Sequence, residues 1–145
     1  MNEYPQKLND FLESMSYITD QSERINFLIE YAEKYKPVPE SIAVRPFPQD
    51  HKAEFCESNV YVWAKPNNDG TFNFYFAVEN PQGVSARALC AILDETLSGE
   101  SPTEILKIST DIIFKIFGQN LSMGKNLGLT GILLMLQRDI KRQIA

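Results

Sequence analysis

The sequence predicts an α+β domain in which a small antiparallel sheet of about three strands packs against several helices. Three observations predict it. Helix-period segments open the chain, two β-branched and aromatic runs joined by a turn occupy its middle, and helix-period segments return from Ser85 onward. At 145 residues the chain is read as one domain, 1–145. A chain of this size buries roughly 70% of its unfolded surface, enough for a core without disulfides or metals.

The elements follow in order. Leu8, Phe11, Leu12 and Met15 have the spacing of one helix face, and Pro5 suits the first turn. Asp20-Gln21-Ser22-Glu23 is a capping box. It opens a second helix with an apolar stripe of Ile25, Leu28, Ile29 and Ala32, which should run to about Tyr35 before Pro37 and Pro39 stop it. From Lys36 to Asp50 four prolines make an ordered loop that still carries Ile42, Val44 and Phe47; Ser41–Arg45 is a candidate short extended piece. Val60–Lys65 is a strand, and Pro66-Asn67-Asn68-Asp69-Gly70 a turn in which Gly70 can take a positive φ. Thr71–Val78 is the return strand. Its Phe72, Phe74 and Phe76 alternate onto one face, predicted to meet the helices, while solvent wets part of the other. Trp63 is assigned to sheet packing.

Ser85 to about Leu97 is helical, with Cys90 among leucine, isoleucine and alanine, where a free cysteine behaves as a small buried hydrophobe. Gly99 ends that helix. Ser101-Pro102-Thr103-Glu104 is a second capping box. The apolar residues from Ile105 to Phe117 form one or two helices, broken near Ser109-Thr110-Asp111 and stopped by Gly118. Ser122 opens a last helix with Leu129, Ile132, Leu133, Leu136 and Ile140 inward and a basic end. Gly124, Gly128 and Gly131 are packing or kink positions along it rather than a phosphate cradle.

An apolar share of 43% and a charged share of 23% belong to a soluble globular protein. The net charge is −5 and no basic patch is visible, which argues against nucleic acid. No apolar run reaches the roughly 18 residues of a membrane span. The start, Met1-Asn2-Glu3-Tyr4-Pro5-Gln6, lacks the basic and apolar regions of a signal peptide, so a cytoplasmic setting is expected. Two cysteines are then thiols rather than a disulfide.

One histidine and two cysteines cannot furnish a structural zinc site. The nucleophile that remains is Cys56, where a polar loop runs into a strand. His51, five residues upstream, leaves a cysteine–histidine hydrolase as one alternative. The local charges are mixed: His51 and Lys52 favour the thiolate, Glu54 and Glu57 oppose it. An ordinary thiol, with a pKa near ~8.5, attacks an amide poorly but an activated sulfur adequately.

Cys56-x-Ser58-x-Val60 followed closely by Trp63 resembles the Cys-x-Ser-x-Val-Trp motif of SufE-type sulfur acceptors, also known as cysteine desulfuration proteins. The resemblance extends over nearly the whole chain. Val84-x-x-Arg87-x-Leu89, Pro102-Thr103-Glu104-Ile105 and Leu121-Ser122-Met123-Gly124-Lys125 are similar to family segments. Phe55 stands where the family has glycine, Glu79-Asn80-Pro81 where it has an acidic segment, and Lys125 where it has arginine.

The resemblance implies a fold similar to that of IscU-type cluster scaffolds. It also implies a role. Cys56 accepts persulfide sulfur from a cysteine desulfurase, stimulates that enzyme and passes sulfur to a cluster scaffold complex. The chain carries no cofactor of its own; pyridoxal phosphate belongs to the desulfurase. Cluster assembly on this chain is not expected, since scaffolds use three cysteines. Cys56 should sit partly sheltered by its apolar flanks Phe55, Val60 and Val62 and swing out on docking. Arg87 and Lys125 are candidates for partner contacts. A regulatory module that docks on a desulfurase without carrying sulfur is the second alternative.

Overall fold

The structure is a computed structural model that describes residues 4–144. Met1, Asn2 and Glu3 of the stretch weighed for a leader lie outside the described residues. The elements are α1 (Gln6–Ser16), α2 (Gln21–Ala32), a 3-10 turn (Gln49–His51), β1 (Val60–Pro66), β2 (Phe72–Val78), α3 (Val84–Leu97), α4 (Pro102–Leu106), α5 (Ile112–Phe117) and α6 (Met123–Ile144). The predicted α+β class is the observed one. No helix of the described residues is long and apolar enough to cross a membrane.

Local chemistry sets most of the boundaries. The Asp20 carboxylate accepts from the Glu23 N–H at 3.0 Å and caps α2. Ser101 caps α4 in the same way from Glu104, and Ser122 accepts from the Lys125 N–H at 3.2 Å where α6 begins. Gly70, Gly99 and Gly118 all take positive φ, at the hairpin turn and after α3 and α5. The apolar run 105–117 does break into two helices, α4 and α5.

β1 and β2 pair antiparallel, Val60 opposite Val78 through Pro66 opposite Phe72. Phe72, Phe74 and Phe76 are buried beside Val60 and Val62, facing α3 and α6. Each buried phenylalanine contributes about 2–3 kcal/mol of transfer free energy. The inward residues predicted for the last helix, Leu129, Ile132, Leu133, Leu136 and Ile140, are all buried.

Four expectations are corrected. The sheet has two strands, not about three. The flanking segments make only isolated bridges, Pro37 to Phe76, Lys52 to Tyr61 and Glu100 to Phe72, because side chains take up the other edge groups. On the β1 edge Ala64 N–H donates to Asp139 at 2.8 Å, Gln143 donates to Ala64 C=O at 2.7 Å, and His51 Nδ1 lies 2.9 Å from Val62 C=O. On the β2 edge Val78 N–H donates to the Tyr35 hydroxyl at 2.9 Å and Phe74 N–H to Ser98 Oγ at 3.2 Å. Both edges are thus sealed against further pairing.

The far face of the sheet is drier than predicted. The proline-rich loop folds over it, and Val38, Ile42, Ala43 and Phe47 cover Tyr61, Trp63 and Ala77. Residues 41–45 are turn and coil within that cover rather than an extended piece. The stripe of α2 is rotated: Ile25 and Ile29 are exposed and Leu28, Tyr31 and Ala32 are buried. This face packs on α3, and Phe11 of α1 adds ring contacts to it, edge-on to Tyr31 at 5.4 Å and tilted against Phe27 at 6.1 Å.

Arg24 holds the N-terminal helices to the body. Its guanidinium donates to the Met15 and Ile18 carbonyls at the end of α1 and just beyond it (3.3 and 2.9 Å) and to the Lys115 and Ile116 carbonyls in α5 (3.1 and 2.8 Å). One planar fork thereby satisfies carbonyls at two helix C-termini. Arg24→Ala should lower stability by about 2–3 kcal/mol in urea unfolding, and Arg24→Lys should recover less than half, because an ammonium cannot span both ends. A lysine variant as stable as the wild type would contradict this account.

Candidate functional site

Cys56 sits in the loop that joins the 3-10 turn to β1. The loop is tied at both ends. Ala53 N–H donates to Val60 C=O at 2.8 Å, closing its neck. Asn59 N–H donates to Cys56 C=O at 3.2 Å, while Asn80 and Glu79 N–H groups donate to the Ser58 and Asn59 carbonyls. The acidic-segment position after the hairpin therefore anchors the cysteine loop through its backbone.

The middle of the loop lies on α6. A Cβ built on Gly128 would stand 3.1 Å from the Phe55 carbonyl oxygen and 3.3 Å from Cys56 Cα. A Cβ on Gly131 would penetrate the Glu54 carbonyl oxygen. The helix presents bare backbone at both positions, and the loop uses the space. On the other side Ser58 lies against Gly83, just before α3. The packing role assigned to Gly128 and Gly131 from the sequence is thus observed, and its partner is the cysteine loop.

Cys56 is half-buried and packs on the main core, while Cys90 is fully buried; both are free thiols. A recess of about 310 Å³ opens beside Cys56, lined by Ser58, Ser85, Ser122, Lys125 and Leu129 among others. Burial pushes the Cys56 pKa up and Glu57 adds to the rise; hydrogen bonds from the backbone of Ser58 and Val60 and the charge of Lys52 oppose it. Burial raises that of Cys90 well above the ordinary range, with Cys56 and Asp94 adding. At neutral pH both are thiols rather than thiolates.

The predicted shelter comes from other residues than those expected. Val60 and Val62 are fully buried in the core of the hairpin, and Phe55 is 70% exposed. Phe55 takes φ 62°, the left-handed region, and Asn59 takes φ 52°. In that conformation the Phe55 side chain leaves the loop for solvent, and the glycine face of α6 covers Cys56 instead.

The remaining candidates separate. Lys125 is exposed and lines the Cys56 recess. Arg87 donates to the Pro81 carbonyl and staples the turn before α3. His51 does not line the recess beside Cys56. Its ring stacks on Trp63 at 5.3 Å, and Nδ1 must carry a proton to meet the Val62 carbonyl. His51 thereby closes the β1 edge, and Trp63 packs between it and Phe47. Two further apolar residues, Leu127 and Leu134, border a groove on α6 beside Phe55 and carry no mark in the sequence. They lie off the inward stripe of α6, and only their exposure distinguishes them.

Residues 9–140 match the family described as "SufE: Fe-S metabolism associated domain". The chain is similar to SufE-like protein 1, chloroplastic/mitochondrial, of Arabidopsis thaliana, with 26% identity over 139 residues, 95% of this chain and 36% of that one. It is also similar to the quinolinate synthase, chloroplastic, of the same plant, with 22% identity over 152 residues, 97% of this chain and 19% of that one. It therefore spans well under half the length of these two curated relatives. Among solved structures it resembles the solution structure of a hypothetical protein from Thermus thermophilus (TM-score 0.72, 25% identity, 97% and 98% of the two chains). The family match takes in the Cys56 loop, the hairpin beneath it and the helix it lies on. The chain belongs to the SufE family of Fe-S metabolism associated domains.

Proposed function

We propose that this chain is a sulfur acceptor and carrier. It takes persulfide sulfur from a cysteine desulfurase onto Cys56, stimulates the desulfurase by doing so, and passes the sulfur to an iron–sulfur cluster scaffold complex in the cytoplasm. The observation that carries this is the setting of Cys56: a thiol on a tied loop, half-covered by the glycine face of α6 and bordered by an open recess. The protein is then an accessory rather than an enzyme, and pyridoxal phosphate is the partner's.

The chemistry needs little from this chain. The Cys56 thiolate attacks the terminal sulfur of the donor's persulfide. A new sulfur–sulfur bond forms at Cys56, the donor's sulfur–sulfur bond breaks, and the donor cysteine leaves as a thiolate. The product is Cys56–S–SH and a regenerated donor thiol, with no outside oxidant or reductant. No oxyanion hole or strong base is required, which suits a site whose histidine is engaged elsewhere. The elevated thiol pKa keeps Cys56 protonated and slow in the free protein. Docking must move it to where the proton can leave.

Incubation with a purified desulfurase, pyridoxal phosphate and cysteine should add one sulfur atom to the intact mass, mapped to Cys56 and removed by dithiothreitol. Cys56→Ser should gain none. Faster desulfurase turnover without added sulfur would replace the carrier by a regulatory docking module. A third outcome, neither sulfur nor stimulation, would leave the likeness to sulfur acceptors at the level of fold.

Iodoacetamide reads the shelter directly, because only the thiolate reacts. A raised pKa means a smaller thiolate fraction at neutral pH, so Cys56 should alkylate more slowly than free cysteine. Its rate should still be climbing above pH ~8.5, where an ordinary thiol is half ionised. Alkylation as fast as free cysteine would remove the sheltered state. Gly131→Ala should lift the loop from α6, speed alkylation about tenfold and lower the melting temperature by roughly 3–6 °C. An unchanged rate in that variant would mean that α6 is not the cover.

A further inference from the structure

Phe55 carries two costs that its loop does not require. The side chain is 70% exposed, so its transfer free energy is largely unrealised. The backbone is left-handed at φ 62°, a conformation that is unfavourable for an L-residue and open to glycine. Backbone geometry alone would favour glycine there.

The ring borders an apolar groove of about 210 Å³ on α6, lined by Leu127, Thr130, Leu134 and Met135 with Glu54 and Arg138 at its rim. Leu127 is 46% and Leu134 50% exposed, and Met123, one turn before Leu127, is 80% exposed. Positions 123, 127, 130 and 134 follow one another at three- and four-residue steps and form a stripe about 16 Å long. This stripe runs beside the glycine face on which the Cys56 loop lies. The rim charges pair with each other, Arg138 to Glu54 at 3.9 Å, which leaves the groove an apolar rather than a charged feature.

The thiol fixes what covers this patch. A protein that hands sulfur to Cys56 must bring its own sulfur into contact with Sγ. A specific interface buries about 800 Å² on each side, a disc of roughly 16 Å radius. Phe55 is bonded to Cys56, and Gly128 and Gly131, which touch the loop, flank the turns that carry Leu127 and Leu134. All three apolar residues fall inside that disc. We propose that Phe55, Leu127 and Leu134 form the docking surface for the protein that donates sulfur to Cys56, with Phe55 as its aromatic anchor. This rests on the carrier reading above and names where its partner sits.

The test titrates wild type, Phe55→Asn and Leu134→Glu into a purified cysteine desulfurase with L-cysteine. Asparagine tolerates the left-handed backbone and removes only the ring; Leu134→Glu changes an exposed position of α6 that does not line the Cys56 recess. Each variant should need about tenfold more protein for half-maximal stimulation, with the rate at saturation changed less than about twofold. Unchanged half-saturation in both variants, or a lower maximal rate at unchanged half-saturation, would overturn the surface. So would a wild-type dimer in sedimentation that Leu134→Glu dissociates, since a second copy would then be the occupant. Wild type that stimulates through this surface but gains no sulfur would overturn the carrier reading alone. Wild type that loads sulfur alongside equally responsive variants would overturn the surface alone.

Discussion

The close approach of the Glu54–Cys56 backbone to α6 is the contact on which the site depends. It is possible only because residues 128 and 131 have no Cβ. Several consequences follow from that one constraint. The Cys56 side chain loses water on the helix side, so burial is the largest influence on its proton. The loop carbonyls must turn to suit the helix surface, and residues 55 and 59 take left-handed conformations at either side of Cys56. Phe55 is then directed away from the core that an aromatic would otherwise join. Glycines in a 22-residue helix carry an intrinsic cost of about 1 kcal/mol each relative to alanine. That cost is offset where a loop packs into the space, and the space is filled here.

A loop held this way needs a rigid base. Two strands alone are marginal in water, and this hairpin is stiffened by side chains rather than by more strands. Asp139 and Gln143 of α6 meet the Ala64 backbone, His51 meets Val62, Tyr35 meets Val78 and Ser98 meets Phe74. Asp139 is buried and also lies 3.5 Å from Arg142, so its charge is compensated as well as hydrogen-bonded. Gln137, likewise buried, donates to the Ile105 and Ile108 carbonyls and ties the end of α4 to α6. The same long helix therefore closes a sheet edge, caps a short helix and floors the cysteine loop.

What is legible in the sequence is what short-range chemistry decides. The capping residues Asp20 and Ser101, the turn at Gly70, the alternation of three phenylalanines and the inward stripe of α6 each depend on neighbours within a few residues, and each appears as expected. Cys56 stands out because few other nucleophiles are available and because its spacing to Ser58, Val60 and Trp63 is distinctive. The failures are long-range. The cover over Cys56 comes from glycines more than seventy positions away, so its adjacent apolar residues do not supply it. The missing third strand reflects Tyr35, Asp139 and Ser98 taking edge groups, which no β pattern records. The inward face of α2 is hidden from its own sequence because the helix it packs on, α3, lies more than fifty positions away and decides which side is buried.

A sulfur carrier faces opposed demands: its thiol must ionise to accept sulfur, and its persulfide must be kept from stray oxidants and thiols. Burial of Cys56 serves the second demand and, by raising the thiol pKa, works against the first. Both are met if ionisation waits for the partner. The two left-handed residues bracket Cys56, and on the carrier reading they are where the backbone would turn to release it. Relaxing Phe55 would release about 1–2 kcal/mol and Asn59, which tolerates that region, less, a modest return against the packing lost on α6. Phe55 links the two halves of the problem, because the residue whose backbone must turn is also the one whose ring is available to be buried. Seating that ring in a partner and freeing the thiol from α6 would then be one motion. On the proposed carrier reading, an exposed aromatic beside a protonated cysteine would couple docking to reactivity.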